Sequence, residues 1–397
     1  MSRSGITKAA LQQFIMAGAH KKILIVTGDP SGDVYAAKVA ETLLGEDKNI
    51  KLYGLGGKKL EDAGVTLLAN LVDEALIGFY EAFKKRGRFR RIFRDIAQAF
   101  LLREKPDLVL LVDFYGFNIH VAGKARELNI PVLYYVSPKV WAWHYGRIKK
   151  IGERVDRMLV IFPFEEELYR KEGIEVTYVG NPIPDIVHPA PDKKKIYEEF
   201  NLREEEPVVG LLPGSRFQEI DNLLPPMLDI AKKMKGGRGT RFVLVLAENI
   251  PFSYVEKRFD LAAVNCTIAR DGDYRLRSIM AFALVSAGTA TLENAYLGVP
   301  MIIMYRVSFP SYILARLLVK VKYVGLPNII ASGKIVPEFI QARVPTSKIA
   351  RIASEWVRNP SCLAEIKEGL SLVREKIGGC GATRRVAGIV KDMVYEN

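Results

Sequence analysis

Residues 22–33 read KILIVTGDPSGD and residues 208–216 read VVGLLPGSR; in each, an apolar run stops at a glycine-bearing turn and a helical pattern follows. A short unbroken run of β-branched residues is how a strand buried on both faces reads, and such strands belong to parallel sheets covered by helices. Outward from the first stretch, residues 108–112, 132–136, 158–161 and 176–179 have the same texture, while 34–44, 79–103 and 118–128 carry helical periodicity. Residues 181–192, NPIPDIVHPAPD, break the pattern with proline and polar residues and read as a linker. It then restarts with a strand at 208–212, a helix at 219–234, and strands at 242–246, 282–286 and 301–304. The chain is therefore expected to be α/β, with two doubly wound Rossmann-like domains facing across a cleft. The expected division is an extension at 1–20, a first domain at 21–185, a second at 186–345 and C-terminal helices at 346–397.

Composition narrows the function classes. With 49% hydrophobic and 26% charged residues over 397 positions, the chain buries a core and is neither disordered nor collagenous. Cys266, Cys362 and Cys380 form no CxxC pair and no disulfide framework, which fits a reducing compartment. His20, His120, His144 and His188 lack zinc-ligand spacing, so no metal site is expected. No apolar run approaches the ~18 residues of a membrane span, and Gln12 and Gln13 interrupt what an export signal would need. A formal charge of +13 favours anionic partners: nucleic acid, phosphorylated metabolites or an acidic membrane surface.

Ligands of open parallel sheets bind beyond the carboxyl ends of the strands, so the strand-to-helix turns are where binding residues belong. The first turn, with Asp29, Ser31, Gly32 and Asp33, brings small residues and helix amides together; it is not GxGxxG, and capping of the helix is an equal reading. The second holds Gly214, Ser215 and Arg216, whose planar fork at a helix N-terminus suits phosphate oxygens. The third runs Gly288, Thr289, Ala290, Thr291 to Glu293, with amides and hydroxyls for a diphosphate and a carboxylate for neighbouring sugar hydroxyls; alone it reads as helix capping by Thr289, and the Arg216 turn in the same half tips it toward binding. Asp113 ends the apolar run LVLLV beside Phe114 and Tyr115, where exclusion of water would raise its proton affinity toward a general base. A turn-capping aspartate fits the same pattern.

From Phe79 to Arg94 the chain reads FYEAFKKRGRFRRIFR. Lys84, Lys85, Arg86, Arg88, Arg90, Arg91 and Arg94 are interleaved with Phe79, Phe83, Phe89 and Phe93, and no acid lies between 84 and 94. A helix of this kind can lie in an anionic membrane interface; RNA binding uses the same residue types.

Taken in order, the turns resemble the lipid-A-disaccharide synthase family, glycosyltransferases of the two-Rossmann GT-B architecture. The landmarks are GDPSGD at 28–33, DFYGFN at 113–118, YVSPKVWAW at 135–143, FPFE at 162–165, VGNP at 179–182, LLPGSR at 211–216, GTATLE at 288–293, LPN at 326–328 and EFIQ at 338–341. The resemblance implies transfer of 2,3-diacylglucosamine from UDP-2,3-diacylglucosamine to 2,3-diacylglucosamine 1-phosphate. It forms a β-1,6 disaccharide and UDP with inversion and without metal or other cofactor. It implies Asp113 as base, Ser215, Arg216 and the Gly288–Thr291 amides on the diphosphate, and Glu293 near the ribose. Asn328 and Gln341 fall near the nucleotide, and Asp29, Ser31, Gly32, Asp33 and Asn118 on the acceptor side of the cleft. The basic aromatic stretch becomes a dock on the anionic inner-membrane surface of a cytoplasmic, peripheral enzyme, with no nucleic-acid partner. A homodimer is compatible with C-terminal helices that pack on the first domain or on a partner subunit. Three positions depart from the family pattern: Asp29 for glutamate, Gly116 for a second aspartate, and Asn181 for histidine. The rival expectations are another GT-B enzyme using UDP-N-acetylglucosamine and a non-catalytic lipid- or nucleotide-binding protein of the same fold.

Overall fold

The computed structural model describes residues 20–76, 82–141, 145–234, 239–306, 323–341 and 344–396. The first sheet contains β1 (Lys21–Val26), β2 (Ile50–Gly56), β3 (Thr66–Asn70), β4 (Leu108–Val112), β5 (Val132–Tyr135), β6 (Arg157–Val160) and β7 (Val176–Tyr178), in the order β3-β2-β1-β4-β5-β6-β7. The second contains β8 (Val208–Leu212), β9 (Arg241–Val245), β10 (Cys266–Ala269), β11 (Met280–Ser286), β12 (Met301–Arg306) and β13 (Glu338–Gln341), in the order β10-β9-β8-β11-β12-β13. All the described pairings are parallel. Strands β2, β3, β10 and β13 are additions to the sequence reading. They carry glycine, polar or half-buried positions and so lack the continuous apolar run of the central strands.

In each sheet the strand order reverses once beside the first strand, at β1/β4 and at β8/β11. Val26 lies beside Leu111, and Leu212 beside Val285. Loops leaving these two pairs diverge and open a crevice at the carboxyl ends. Into it run residues 27–33 and 113–118 from the first sheet, and 213–216 and 287–293 from the second.

The core follows the two-residue period of the strands. Ile23, Ile25, Leu108, Leu110 and Val112 face the cluster that also takes Leu212, Val285 and Ile303 from the second sheet and Val386, Val390 and Val394 from the C-terminal helix. Leu24, Val26, Val109 and Leu111 face the opposite layer. Each such side chain stabilises the fold by roughly 1.5–3 kcal/mol.

The C-terminal helices bind the two sheets' layers together. Helix Ala364–Ile377 packs on Thr289–Tyr296; the chain then turns at Gly378 (φ 85°) and Gly381 (φ 108°), and helix Ala382–Tyr395 lies along Pro30–Glu46. Asp185, within the linker, accepts hydrogen bonds from Gly381 N (2.5 Å) and Thr383 N (2.7 Å). Lys391 pairs with Glu46, and Tyr395 donates to Asp47 at 2.6 Å.

Candidate active site

Asp29 occupies the N-cap of the helix Pro30–Glu46, with extended backbone (φ −111°, ψ 145°) and proline next, yet its carboxylate makes no capping bond. It reaches instead across the crevice to Arg216, whose Nη2 lies 2.6 Å from Asp29 Oδ1. Gly32 is required here: a Cβ would collide with Thr27 Oγ1 and hold the helix off the strand ends. Ser31 lies half-buried in the same first turn. Asp33 departs from the cleft-lining expectation. It is buried, and its two oxygens accept from Gly57 N (2.7 Å) and Lys59 N (3.0 Å), so it ties the loop after β2 to the helix.

At the end of β4, Asp113 (φ 48°) and Phe114 (φ 46°) both lie in the left-handed region, an arrangement that costs non-glycine residues roughly 1–2 kcal/mol each. Tertiary bonds hold it. Asp113 N donates to Tyr135 O (3.0 Å), and its carbonyl accepts from Tyr134 Oη (2.5 Å) and Asn118 Nδ2 (2.8 Å). Asn118 was expected on the cleft wall; it is fully buried and donates also to the carbonyls of Val26 and Val112, each at 3.3 Å, pinning β1 to β4. The Asp113 carboxyl is pushed up to about 7, first by its burial and then by the nearby charge of Asp29, while Lys139, the Phe114 amide and Arg216 oppose the shift. That value suits a base near neutral pH.

From the other side, Gly214 (φ 120°) turns β8 into the helix Phe217–Met234. The amides of Ser215 (2.9 Å) and Arg216 (3.2 Å), which this helix N-terminus would otherwise turn toward an anion, both donate to Glu219 Oε2. A carboxylate three residues into a helix is the natural cap for those donors, and it occupies them. The Arg216 side chain remains half-exposed, one nitrogen on Asp29 and the other 3.2 Å from Glu219 Oε1.

Gly288 N-caps the helix Thr289–Tyr296 without a side-chain cap, so the amides of Thr289 and Ala290 are first-turn donors with no intrahelical acceptor. Thr291 turns inward: it is fully buried and its Oγ1 donates to Gly288 O at 2.7 Å. Glu293 accepts from Arg277 Nη1 at 2.6 Å. Arg277 in turn holds Asp271 (3.0 Å) and Asn294 (3.2 Å) beneath the Tyr274 ring. Arg277 and Asp271 escaped sequence reasoning because nothing in DGDYRLRS (271–278) distinguishes a buried clamp from a solvated loop. Asn328 is likewise buried: its Nδ2 donates to Val336 O (2.9 Å) and Glu338 Oε1 (2.6 Å), and its Oδ1 accepts from the amides of Ile335 and Val336. It shapes the loop before β13 and is not offered to a nucleotide. Gln341 ends β13 beside Arg306, and its side chain lies outside the described residues.

Tyr35, buried on the Pro30 helix, links the two lobes. Its hydroxyl is pushed well above its ordinary range by burial and by the surrounding groups Glu293, Tyr274, Tyr135 and Asp113. Lys59 and Glu248 add a second ion pair across the crevice at 2.8 Å.

The basic stretch forms the helix Ala82–Ile92, continued by a π-turn at Phe93–Gln98 and by Ala99–Glu104. Phe79, and the side chains of Phe83, Lys84, Lys85 and Arg86, lie outside the described residues. Phe89 and Phe93, expected on the membrane face, point inward. Phe89 stands 5.9 Å from Phe114 and 6.1 Å from Phe117, ring centre to ring centre, and Phe93 6.2 Å from Phe117. Arg88, Arg90, Arg91 and Arg94 are exposed, Arg88 paired with Glu74 and Arg94 with Asp95. Among the described residues no helix is long and apolar enough to cross a membrane.

The family model described as lipid-A-disaccharide synthetase matches residues 23–380. A lipid-A-disaccharide synthase of Syntrophus aciditrophicus is 38% identical over 379 residues, covering 95% of this chain and 99% of that protein. The synthase of Geobacter sulfurreducens is 36% identical over 374 residues, 94% and 97% of the two chains. Solved structures with the same architecture include a putative UDP-N-acetylglucosamine 2-epimerase from Listeria monocytogenes (TM-score 0.67, 12% identity, 95% and 97% coverage). Acinetobacter baumannii MurG is another (TM-score 0.54, 15% identity, 94% and 99% coverage). At those identities the structures speak to the GT-B fold alone, whereas the curated relatives reach to the family.

Proposed function

The chain belongs to the lipid-A-disaccharide synthetase family, and we propose that its crevice moves a 2,3-diacylglucosamine unit from the UDP conjugate to the 6-hydroxyl of 2,3-diacylglucosamine 1-phosphate. In this reading residues 21–185 receive the acceptor and residues 186–345 the donor. Asp113 takes the proton of the 6-hydroxyl as that oxygen forms its bond to the anomeric carbon from the face opposite the diphosphate. The bond from the anomeric carbon to the diphosphate oxygen breaks, and UDP leaves with both bonding electrons. Arg216 and the open amides of Thr289 and Ala290 hold the charge that develops there. Glu293, oriented by Arg277, is placed to accept from ribose hydroxyls. The observation that carries the reading is that Arg216 of the second sheet lies 2.6 Å from Asp29 of the first, in the gap where the charges of both bear on the carboxyl of Asp113.

Both substrates carry acyl chains, so the enzyme works at a membrane surface as a peripheral protein on the cytoplasmic face. Exposed Arg88, Arg90, Arg91 and Arg94, with the stretch 79–86 before them, provide an electrostatic dock. The direct test is incubation with UDP-2,3-diacylglucosamine and 2,3-diacylglucosamine 1-phosphate, followed by mass spectrometry. Equimolar disaccharide 1-phosphate and UDP are expected; unchanged substrates, or release of free sugar without disaccharide, would overturn the assignment.

A further inference from the structure

Arg216 is already occupied: it cannot reach a diphosphate while its Nη2 stays on Asp29. Asp29, for its part, ignores the amides of the helix it caps and spends its carboxylate on this cross-cleft contact, with a side chain only about one-fifth exposed. We propose that Asp29 is a positioning residue that couples donor capture to activation of the base: the donor's diphosphate takes Arg216 from Asp29, and the released carboxylate stands uncompensated beside Asp113. Glu219, which also holds Arg216, serves as the pivot on which the guanidinium turns. The inference rests on the roles given above to Asp113 and Arg216.

The charged and titratable groups around Asp113 define the direction of the effect. Asp29 comes from the loop before the Pro30 helix and Tyr35 from that helix. Tyr134 comes from β5, Lys139 from the loop after it, and Arg216 from the second sheet. Tyr35 and Tyr134 are neutral, held above their ordinary range by burial. Lys139 and Arg216 favour the ionised carboxylate; Asp29 disfavours it. Withdrawal of Arg216 to a dianionic ligand removes one stabilising cation and unmasks one repelling anion. Both changes strengthen Asp113 as a proton acceptor once the donor is in place, so the base gains strength when a sugar is present to receive the alkoxide.

The test compares full-length wild type with Asp29→Asn, Asp29→Glu and Asp113→Asn, measuring UDP affinity by calorimetry and the pH dependence of kcat with both substrates saturating. Asp29→Asn is expected to bind UDP about threefold more tightly, because the competitor for Arg216 is gone. Its kcat should fall, and the acid limb of its profile should move down by about one pH unit. Asp29→Glu should restore both toward wild type. A measurable UDP isotherm shows that each variant is folded, and a mere structural prop would loosen UDP binding and leave the pH limb in place. Unchanged UDP affinity and an unmoved limb in Asp29→Asn, with Asp113→Asn inactive, would overturn the coupling while leaving the base assignment intact. Full activity of Asp113→Asn would instead overturn the reading on which the coupling stands.

Discussion

At the scale of single residues, the proposed base Asp113 bears on both chemistry and stability. As the proposed base, Asp113 must be ionised to work, so kcat/KM, which reports the donor-free enzyme, is expected to fall tenfold per pH unit on the acid side of about 7 and to level above it. The same burial works against the fold. Between its ordinary 3.8 and about 7, Asp113 keeps a proton in the folded chain that the unfolded chain has released, so its contribution to stability declines as pH rises through that window. Asp113→Asn is therefore expected to melt at a higher temperature than wild type at pH 8, with the difference gone by pH 4; scanning calorimetry at the two pH values checks it. An equal or lower Tm at pH 8 would mean that the carboxylate is better solvated than its surroundings indicate. Residue-scale legibility was uneven for a physical reason. Asp113 and Arg216 could be read because each lies in the turn that leaves a central strand. Asp33, Asn118 and Asn328 instead satisfy backbone groups outside their own turns, those of Gly57 and Lys59, of Val26 and Val112, and of Ile335 and Val336, and a polar side chain so consumed looks, in sequence, like one waiting for a ligand.

At the scale of elements, the basic helix has divided duties. Its aromatic side, Phe89 and Phe93, packs against the Phe114–Phe117 turn and so steadies the backbone at Asp113, while its arginines face outward. The substitutions Arg90→Glu and Arg91→Glu together are expected to cut co-sedimentation with anionic vesicles about tenfold at low salt, and to leave turnover of detergent-dispersed substrates unchanged. Phe89→Ala should do the opposite, lowering Tm through a cavity worth about 2–4 kcal/mol and reducing kcat while vesicle binding persists. The interleaved spacing announced an amphipathic helix but not which side would be inward, since both a membrane and the Phe114 turn offer apolar surface. Central strands were legible for the same reason that these edges were not: burial on two faces leaves an unbroken apolar run, whereas β3, β10 and β13 sit at sheet margins or carry polar and half-buried positions.

At the scale of the whole molecule, two parallel sheets place their reversal points against each other, and the last helix crosses back to fasten the arrangement. Val386, Val390 and Val394 share a core with Ile23, Ile25 and Leu43, so removal of residues 379–397 exposes the Pro30 helix, whose first turn carries Asp29. Such a truncation is expected to abolish cooperative unfolding of the first domain, as near-ultraviolet circular dichroism would report. In the proposed reaction one lobe of this glycosyltransferase supplies the proton acceptor and the other the diphosphate clamp. Parallel measurement of kcat and UDP affinity in Asp113→Asn and Arg216→Ala separates the two roles. Asp113→Asn is expected to lose turnover by about 10²–10⁴-fold with UDP binding unimpaired, whereas Arg216→Ala weakens UDP binding and turnover together. Turnover of Asp113→Asn within tenfold of wild type, or undiminished UDP affinity in Arg216→Ala, would contradict that division of roles.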